Sequence, residues 1–496
     1  MKLQRIILLI LIVGLSACSK KNEEIIINVK VIGGIPDKIE YTIPVNGTWF
    51  YGAKKSVVPD SLGNFRISIA SDLASFITLY IPKKAAAVLL VEPDQKYEVD
   101  FNLDSKNKAF KVNGENNEAL TLYNSLPLPE FYVLSTSNPL LKDAVLSSVS
   151  SKIENLKEKE ISQFKKQLEK QIITKDFYDL AELDRNYYYL ALETSIAKVK
   201  YNAQSDSIET QNTQIRRLWT KIFQQTPPTE SFDIRSPWSF ILMRNYINFN
   251  QHNAGILKSE EMQKIYDQGK IHSYNIGEAK KYLKGKALEY YHATYILSNS
   301  FSNKDNSKEL IALYENFKKE YPNSAYSNHL TGLIKPIIDF HQKIEESTNN
   351  NKIEFIKNYE NIDRFDELIK TLKGKKLFVD IWGTWCAPCK KEFQQKDRYS
   401  ELLKSKNITT LYICEGINSK EKVWKEMINY YDLEGQHLLA NRKLIADIID
   451  KFGNKGSFAY PRYLLVDEKG NVVNSQASYP SKTEQLENEI NENYVW

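Results

Sequence analysis

Cys386 and Cys389 stand three apart in the run Trp382-Gly383-Thr384-Trp385-Cys386-Ala387-Pro388-Cys389-Lys390. The apolar stretch Leu377-Phe378-Val379-Asp380-Ile381-Trp382 precedes them and reads as a buried strand, and helical patterning follows them to about Lys406. In that setting a Cys-x-x-Cys pair is suited to thiol and disulfide chemistry rather than to a zinc knuckle. Cys386 falls where a helix begins, and free N–H groups and the macrodipole there favour a thiolate, the attacking species in exchange. Pro388 fits the first helical turn, where its missing N–H costs nothing. Cys389, one turn on, is placed to attack a mixed disulfide formed by Cys386. Asp380, on the buried strand, is the candidate proton acceptor for Cys389, because burial raises a carboxyl pKa toward neutrality. Trp382 and Trp385 are expected to wall the site and offer a flat apolar platform to a partner.

Metal and other chemistries are weaker readings of the same residues. Zinc would need a second ligand pair; Cys414 and His437 are the nearby candidates and form no pair motif. The remaining histidines, His252, His272, His292, His329 and His341, are scattered without metal spacing. Neither a metal nor any other cofactor is expected, since electrons can move between cysteines. Thr384 precedes Cys386 by two, as in thiol peroxidases, but the second cysteine and Pro388 fit exchange better. Cys414 ends a predicted core strand and reads as a small buried hydrophobe, with a third redox thiol as the alternative.

The dithiol needs a scaffold, and 496 residues exceed one hydrophobic core. Short strand-like runs separated by turn signals (Gly33-Gly34, Pro36-Asp37, Leu62-Gly63-Asn64, Pro93-Asp94) predict a small antiparallel β-sandwich over 25–114. Long stretches without Gly or Pro, such as 141–171 and 177–203, predict an all-α middle domain over 115–350. The grammar over 351–496 is α/β. The chain carries 67 basic and 62 acidic residues, net +5, which argues against a nucleic-acid surface.

The N-terminus reads as a processing signal over 1–18. Lys2 and Arg5 precede an apolar run, Ile6 to Leu15, that is too short to span a bilayer, and Leu15-Ser16-Ala17-Cys18 resembles the lipobox of bacterial lipoproteins. The resemblance implies that Cys18 is acylated, that 19–24 is a tether, and that the chain is held by lipid in the cell envelope of a Gram-negative bacterium. A periplasm-facing position is expected, with outer-membrane or surface placement left open.

The C-terminal segment resembles the thioredoxin superfamily, most closely the TlpA/ResA-like thiol-disulfide oxidoreductases. The Trp-x-x-Trp-Cys-x-Pro-Cys-Lys core carries the likeness. So does Tyr460-Pro461-Arg462-Tyr463-Leu464-Leu465-Val466 ahead of a hairpin. The preceding β segment resembles domains found before such modules in envelope lipoproteins of the Bacteroidetes type. The resemblance implies a thioredoxin-like fold in which Pro461 is cis, faces the cysteines, and leaves the backbone of Tyr460 open to a substrate strand. It further implies protein disulfides as substrates and a membrane electron donor of the DsbD type. Reduction is favoured over oxidation, apocytochrome c maturation being one such use. The sequence departs from the pattern at Lys391-Glu392-Phe393, where many relatives have a proline, and it assigns no partner to Asp380. The alternative reading is a partner- or ligand-binding lipoprotein whose thioredoxin fold is structural or redox-sensing.

Overall fold

The computed structural model describes residues 24–105, 110–114, 116–126, 140–142, 145–202, 209–228, 232–253, 259–303, 305–346, 352–417, 419–453 and 458–494. Cys18 and the lipobox lie outside these residues. Two compact units are present, Met1–Ile337 and Ile338–Trp496.

The first unit opens with β1 (Glu24–Ile32), β2 (Ile39–Thr42), β3 (Lys54–Val57), β4 (Phe65–Ala70), β5 (Ser75–Ile81), β6 (Ala85–Val91), β7 (Lys96–Asn102) and β8 (Phe110–Gly114). They form two four-stranded sheets, β4-β1-β7-β8 and β3-β2-β5-β6. Alternation of buried and exposed side chains along β4 and β7 is that of sheets with one face in a core. The expectation of a wholly antiparallel sandwich is corrected at one place: β1 and β7 pair in parallel, Ile26 opposite Lys96 through Ile32 opposite Asn102. Three strands not read from sequence, β3, β5 and β8, complete the sheets.

The sandwich and the helices after it share a core. Phe76, Leu79, Leu89 and Tyr97 cluster with Leu120 and Tyr123 of the helix Asn117–Ser125 and with Phe177 and Leu180 of the helix Lys175–Asn202. At the edge strand β6, the amide of Asn124 accepts from Val88 N at 2.9 Å and donates to Val88 O at 2.8 Å. It thereby does the work of a further strand at an otherwise open edge. A buried polar knot sits beside this core. Tyr123 donates to Asp184 Oδ2 at 2.9 Å, Ser236 donates to Asp184 Oδ1 at 3.1 Å, and Arg185, wholly buried, pairs with Asp184. No helix among the described residues is long and apolar enough to cross a membrane.

The second unit is one six-stranded sheet flanked by helices. Its elements are β9 (Ile353–Phe355), α1 (Phe365–Thr371), β10 (Lys376–Trp382), α2 (Ala387–Phe393), α3 (Lys396–Ser405), β11 (Ile408–Glu415), α4 (Glu421–Tyr431), β12 (Gly435–Ala440), α5 (Arg442–Phe452), β13 (Arg462–Val466), β14 (Val472–Asn474) and α6 (Thr483–Asn493). Strand order is β14-β13-β10-β11-β12-β9. β9, β12, β11 and β10 run parallel, and β13 and β14 are antiparallel. Central β10 is covered on both faces, so nearly every residue in it is apolar. Leu377, Val379 and Ile381 pack with α1 and α5. Phe378 packs with α3 and α6, and Trp382 with α2 and α4, on the opposite face. Asp380 is the polar interruption on that second face.

Candidate active site

The cysteines sit where β10 ends and α2 begins. Cys386 and Cys389 are joined as a disulfide, 3 % and 0 % exposed. Cys386 is the N-cap of α2, with Pro388 in the first turn, and its sulfur accepts the Cys389 N–H at 3.1 Å. A charge on Cys386 would therefore meet a hydrogen-bond donor as well as the positive end of the helix.

The approach loop is tied from below. Thr384 N and Oγ1 lie 3.1 and 3.0 Å from Ser419 Oγ, ahead of α4. Trp385 folds its indole back over Gly383, where a Cβ would lie 2.8 Å from the ring. A side chain at that position would displace the indole. The indole N–H donates to Glu415 Oε2 at 2.9 Å, and the ring meets Tyr460 edge-on at 5.2 Å. Trp385 is nevertheless 49 % exposed, a fixed aromatic face beside the disulfide. The Tyr460–Pro461 bond is cis. Tyr460 packs in the same cluster as Cys386 and Cys389, and its hydroxyl is pushed up to about 12 by burial and by Glu415.

On the face of β10 that α2 covers lies Asp380, 1 % exposed, with neither carboxyl oxygen hydrogen-bonded. Register places Tyr412 of β11 on one side of it and Tyr463 of β13 on the other. Tyr399 of α3 joins this layer, its hydroxyl 3.2 Å from that of Tyr412, and the Tyr463 hydroxyl has no partner. Burial, then the charge of Glu392, holds the Asp380 carboxyl well above the usual carboxylate range. Buried polar atoms without partners are rare and mark either trapped water or chemistry.

Sequence reasoning missed Glu392 and Glu415. Glu392 was visible in the run after Cys389 as a departure from the usual proline, but its burial was not. It is 7 % exposed, one turn past Cys389 on the same helix. Glu415 is 3 % exposed and holds Trp385. Cys414 is wholly buried, and burial pushes its thiol up. His437 is likewise buried, its Nε2 2.8 Å from Leu433 O and its ring stacked on Tyr412, and burial lowers it to about 4.

A parallel-centred sheet with a dithiol capping the helix after its central strand defines a thioredoxin-type domain, and residues 367–491 match the Redoxin family. Among curated proteins, the thiol-disulfide oxidoreductase ResA of Bacillus thuringiensis (strain Al Hakam) is 29 % identical over 119 residues, covering 24 % of this chain and 64 % of the relative. A ResA of Bacillus cereus is 32 % identical over 124 residues with the same coverage. The chain thus spans 64 % of the length of these relatives. The thioredoxin domain of a thiol-disulfide oxidoreductase from Bacteroides vulgatus superposes with 22 % identity and a TM-score of 0.21, covering 25 % of this chain and 81 % of that one. The C-terminal domain is thus similar to the Redoxin family and to the ResA thiol-disulfide oxidoreductases.

Proposed function

We propose that this chain is a protein thiol-disulfide oxidoreductase acting through Cys386 and Cys389. One observation carries the proposal: the cysteine pair caps a helix that packs on the same face of β10 as a buried carboxyl group with no hydrogen-bond partner. In the reducing direction the Cys386 thiolate attacks a substrate disulfide, and one substrate sulfur leaves as a thiolate and takes up a proton. Cys389 then gives its proton to Asp380 and attacks Cys386 Sγ. The second substrate sulfur leaves, the Cys386–Cys389 disulfide forms, and two electrons have passed to the substrate. Trp385 and Tyr460 supply the apolar rim, and the backbone of Tyr460 beside cis Pro461 is the pairing edge for the substrate strand.

The similarity to ResA supports this reading, and the lipobox supports attachment through Cys18 in the cell envelope. Turnover as a reductase then requires reduction of the Cys386–Cys389 disulfide by a donor; a membrane dithiol protein of the DsbD type fits, and apocytochrome c is one substrate class. Trapping tests the proposal. Cys389→Ser expressed in the native envelope accumulates mixed disulfides through Cys386, and Cys386→Ser accumulates none. A Cys389→Ser protein that traps no partner overturns it.

A further inference from the structure

In the first unit two cations stand side by side with no counter-charge among the described residues. The helices Lys175–Asn202 and Ser239–Asn253 pack along each other, and three contacts fix their register. Ser236, just ahead of the second helix, donates to Asp184 Oδ1 at 3.1 Å, and Trp238 meets Tyr188 at 4.8 Å between ring centres. Asn245 donates to Thr194 Oγ1 at 2.9 Å and to Ser195 Oγ at 3.0 Å. Both members of these pairs advance together, so the helices run in the same direction. One turn further on, Lys198 follows Thr194 by four and Asn248 follows Asn245 by three, which brings them level across the interface. Arg244, four before Asn248, lies on the same side of its helix.

None of these three side chains has a hydrogen-bond or ion-pair partner among the described residues. Arg244 Nε and Asn248 Nδ2 are buried and make no hydrogen bond. The Arg244 guanidinium lies 5.7 Å from the centre of the Phe240 ring, and Phe240 packs at 5.2 Å against buried Tyr291. A ring rather than a carboxylate therefore flanks it. Lys198 is half-buried; burial and then the charge of Arg244 lower its ammonium to about 8, and no described carboxylate offsets them. Burying an unpaired charge is costly, and a second like charge beside it adds to the cost. Arg185, buried in the same helix as Lys198, has Asp184 for company.

We propose that Lys198, Arg244 and Asn248 form a binding site for a phosphate group, free or esterified, which supplies the negative charge that the described residues lack. Two cations call for about two negative charges, and a phosphate carries about −1.5 to −2 near neutral pH, where a carboxylate carries one. The guanidinium fork and the ammonium suit phosphate oxygens, and the Asn248 amide adds a neutral donor. The site belongs to the first unit and does not depend on the oxidoreductase reading.

Calorimetric titration of the full chain with inorganic phosphate and with glycerol phosphate, at constant ionic strength, tests the proposal. Saturable binding is expected, with acetate at the same concentrations binding far more weakly. Tighter binding of inorganic phosphate assigns the free ion and tighter binding of glycerol phosphate assigns an ester; either supports the site. Lys198→Met and Arg244→Met each weaken binding roughly ten- to a hundredfold, as for one lost charge-assisted bond. Both variants are at least as stable as wild type in phosphate-free buffer, because each relieves an unpaired charge. Asn248→Asp places a carboxylate beside the cations, so it raises Tm without phosphate and abolishes phosphate binding. No saturable phosphate binding, acetate binding of equal strength, or unchanged affinity in Lys198→Met overturns the proposal. So does a loss of stability in both Met variants, since it would mean that the cations were already paired.

Discussion

Replacing Asp380 by Asn tests whether burial holds this carboxyl above the usual carboxylate range. The side chain is 1 % exposed and makes no hydrogen bond, and Glu392 adds a like charge, so both effects oppose ionisation. An acid raised in the folded state keeps its proton while the unfolded chain has lost its own. Stability therefore falls as pH rises from the ordinary carboxylate range toward the raised folded value, by about 1.4 kcal/mol per pH unit. Below the ordinary range both states are protonated and the penalty vanishes. Asn is isosteric and does not titrate, so the difference between variant and wild type isolates this contribution. The assay is hydrogen exchange of peptides from β10 at pH 4, 6 and 8, corrected for intrinsic exchange. The stability of Asp380→Asn relative to wild type rises between pH 4 and pH 6 with a slope approaching that value. In the same variant, resolution of a mixed disulfide slows by roughly 100-fold at pH 7, the lower end for loss of a positioned base, while the initial attack of Cys386 changes little. A flat stability difference across that range, or equal slowing of both steps, refutes the reasoning.

Three further outcomes follow from the geometry. Trp385→Phe removes the bond to Glu415 and frees the ring, so the KM for a protein disulfide rises several-fold with kcat nearly unchanged; steady-state kinetics with a model protein substrate measure it, and an unchanged KM counts against the platform role. Cys414, buried and with its thiol pushed up, resists alkylation in the native protein and reacts on unfolding. Mass spectrometry after iodoacetamide reads this, and rapid native labelling contradicts it. In the first unit, Tyr123→Phe deletes a buried bond to Asp184 and costs about 1.5–3 kcal/mol, as for hydrogen bonds to charged groups. Denaturant unfolding checks the value.

What was readable in the sequence was local. The dithiol, Pro388 at the helix start and Asp380 in an apolar strand all lie within ten residues, where spacing alone states the geometry. The hairpin after Pro461 was likewise self-announcing. Glu392 could be seen but not interpreted, because its partner Ser481 arrives from 89 residues away. Glu415 was hidden for the same reason, since the indole it holds belongs to another loop. The parallel pairing of β1 with β7 was unreadable because alternation marks which face of a strand is buried and says nothing about its neighbour's direction. Strand β3, Lys54–Val57, carries two lysines on an edge and lacks an apolar face, so it looked like loop. The common core of sandwich and helices, joined at Tyr123 and Phe177, arises from tertiary packing that no local period encodes.

The central claim is that Cys386 and Cys389 form a reversible redox couple. A redox titration of the protein after Cys18, read by alkylation mass shift of the two cysteines, tests it most directly. The account predicts one two-electron transition near the reducing end of the scale, roughly −270 mV. A transition near roughly −120 mV would turn the protein into a disulfide-forming oxidase, and the absence of any reversible transition would contradict the account.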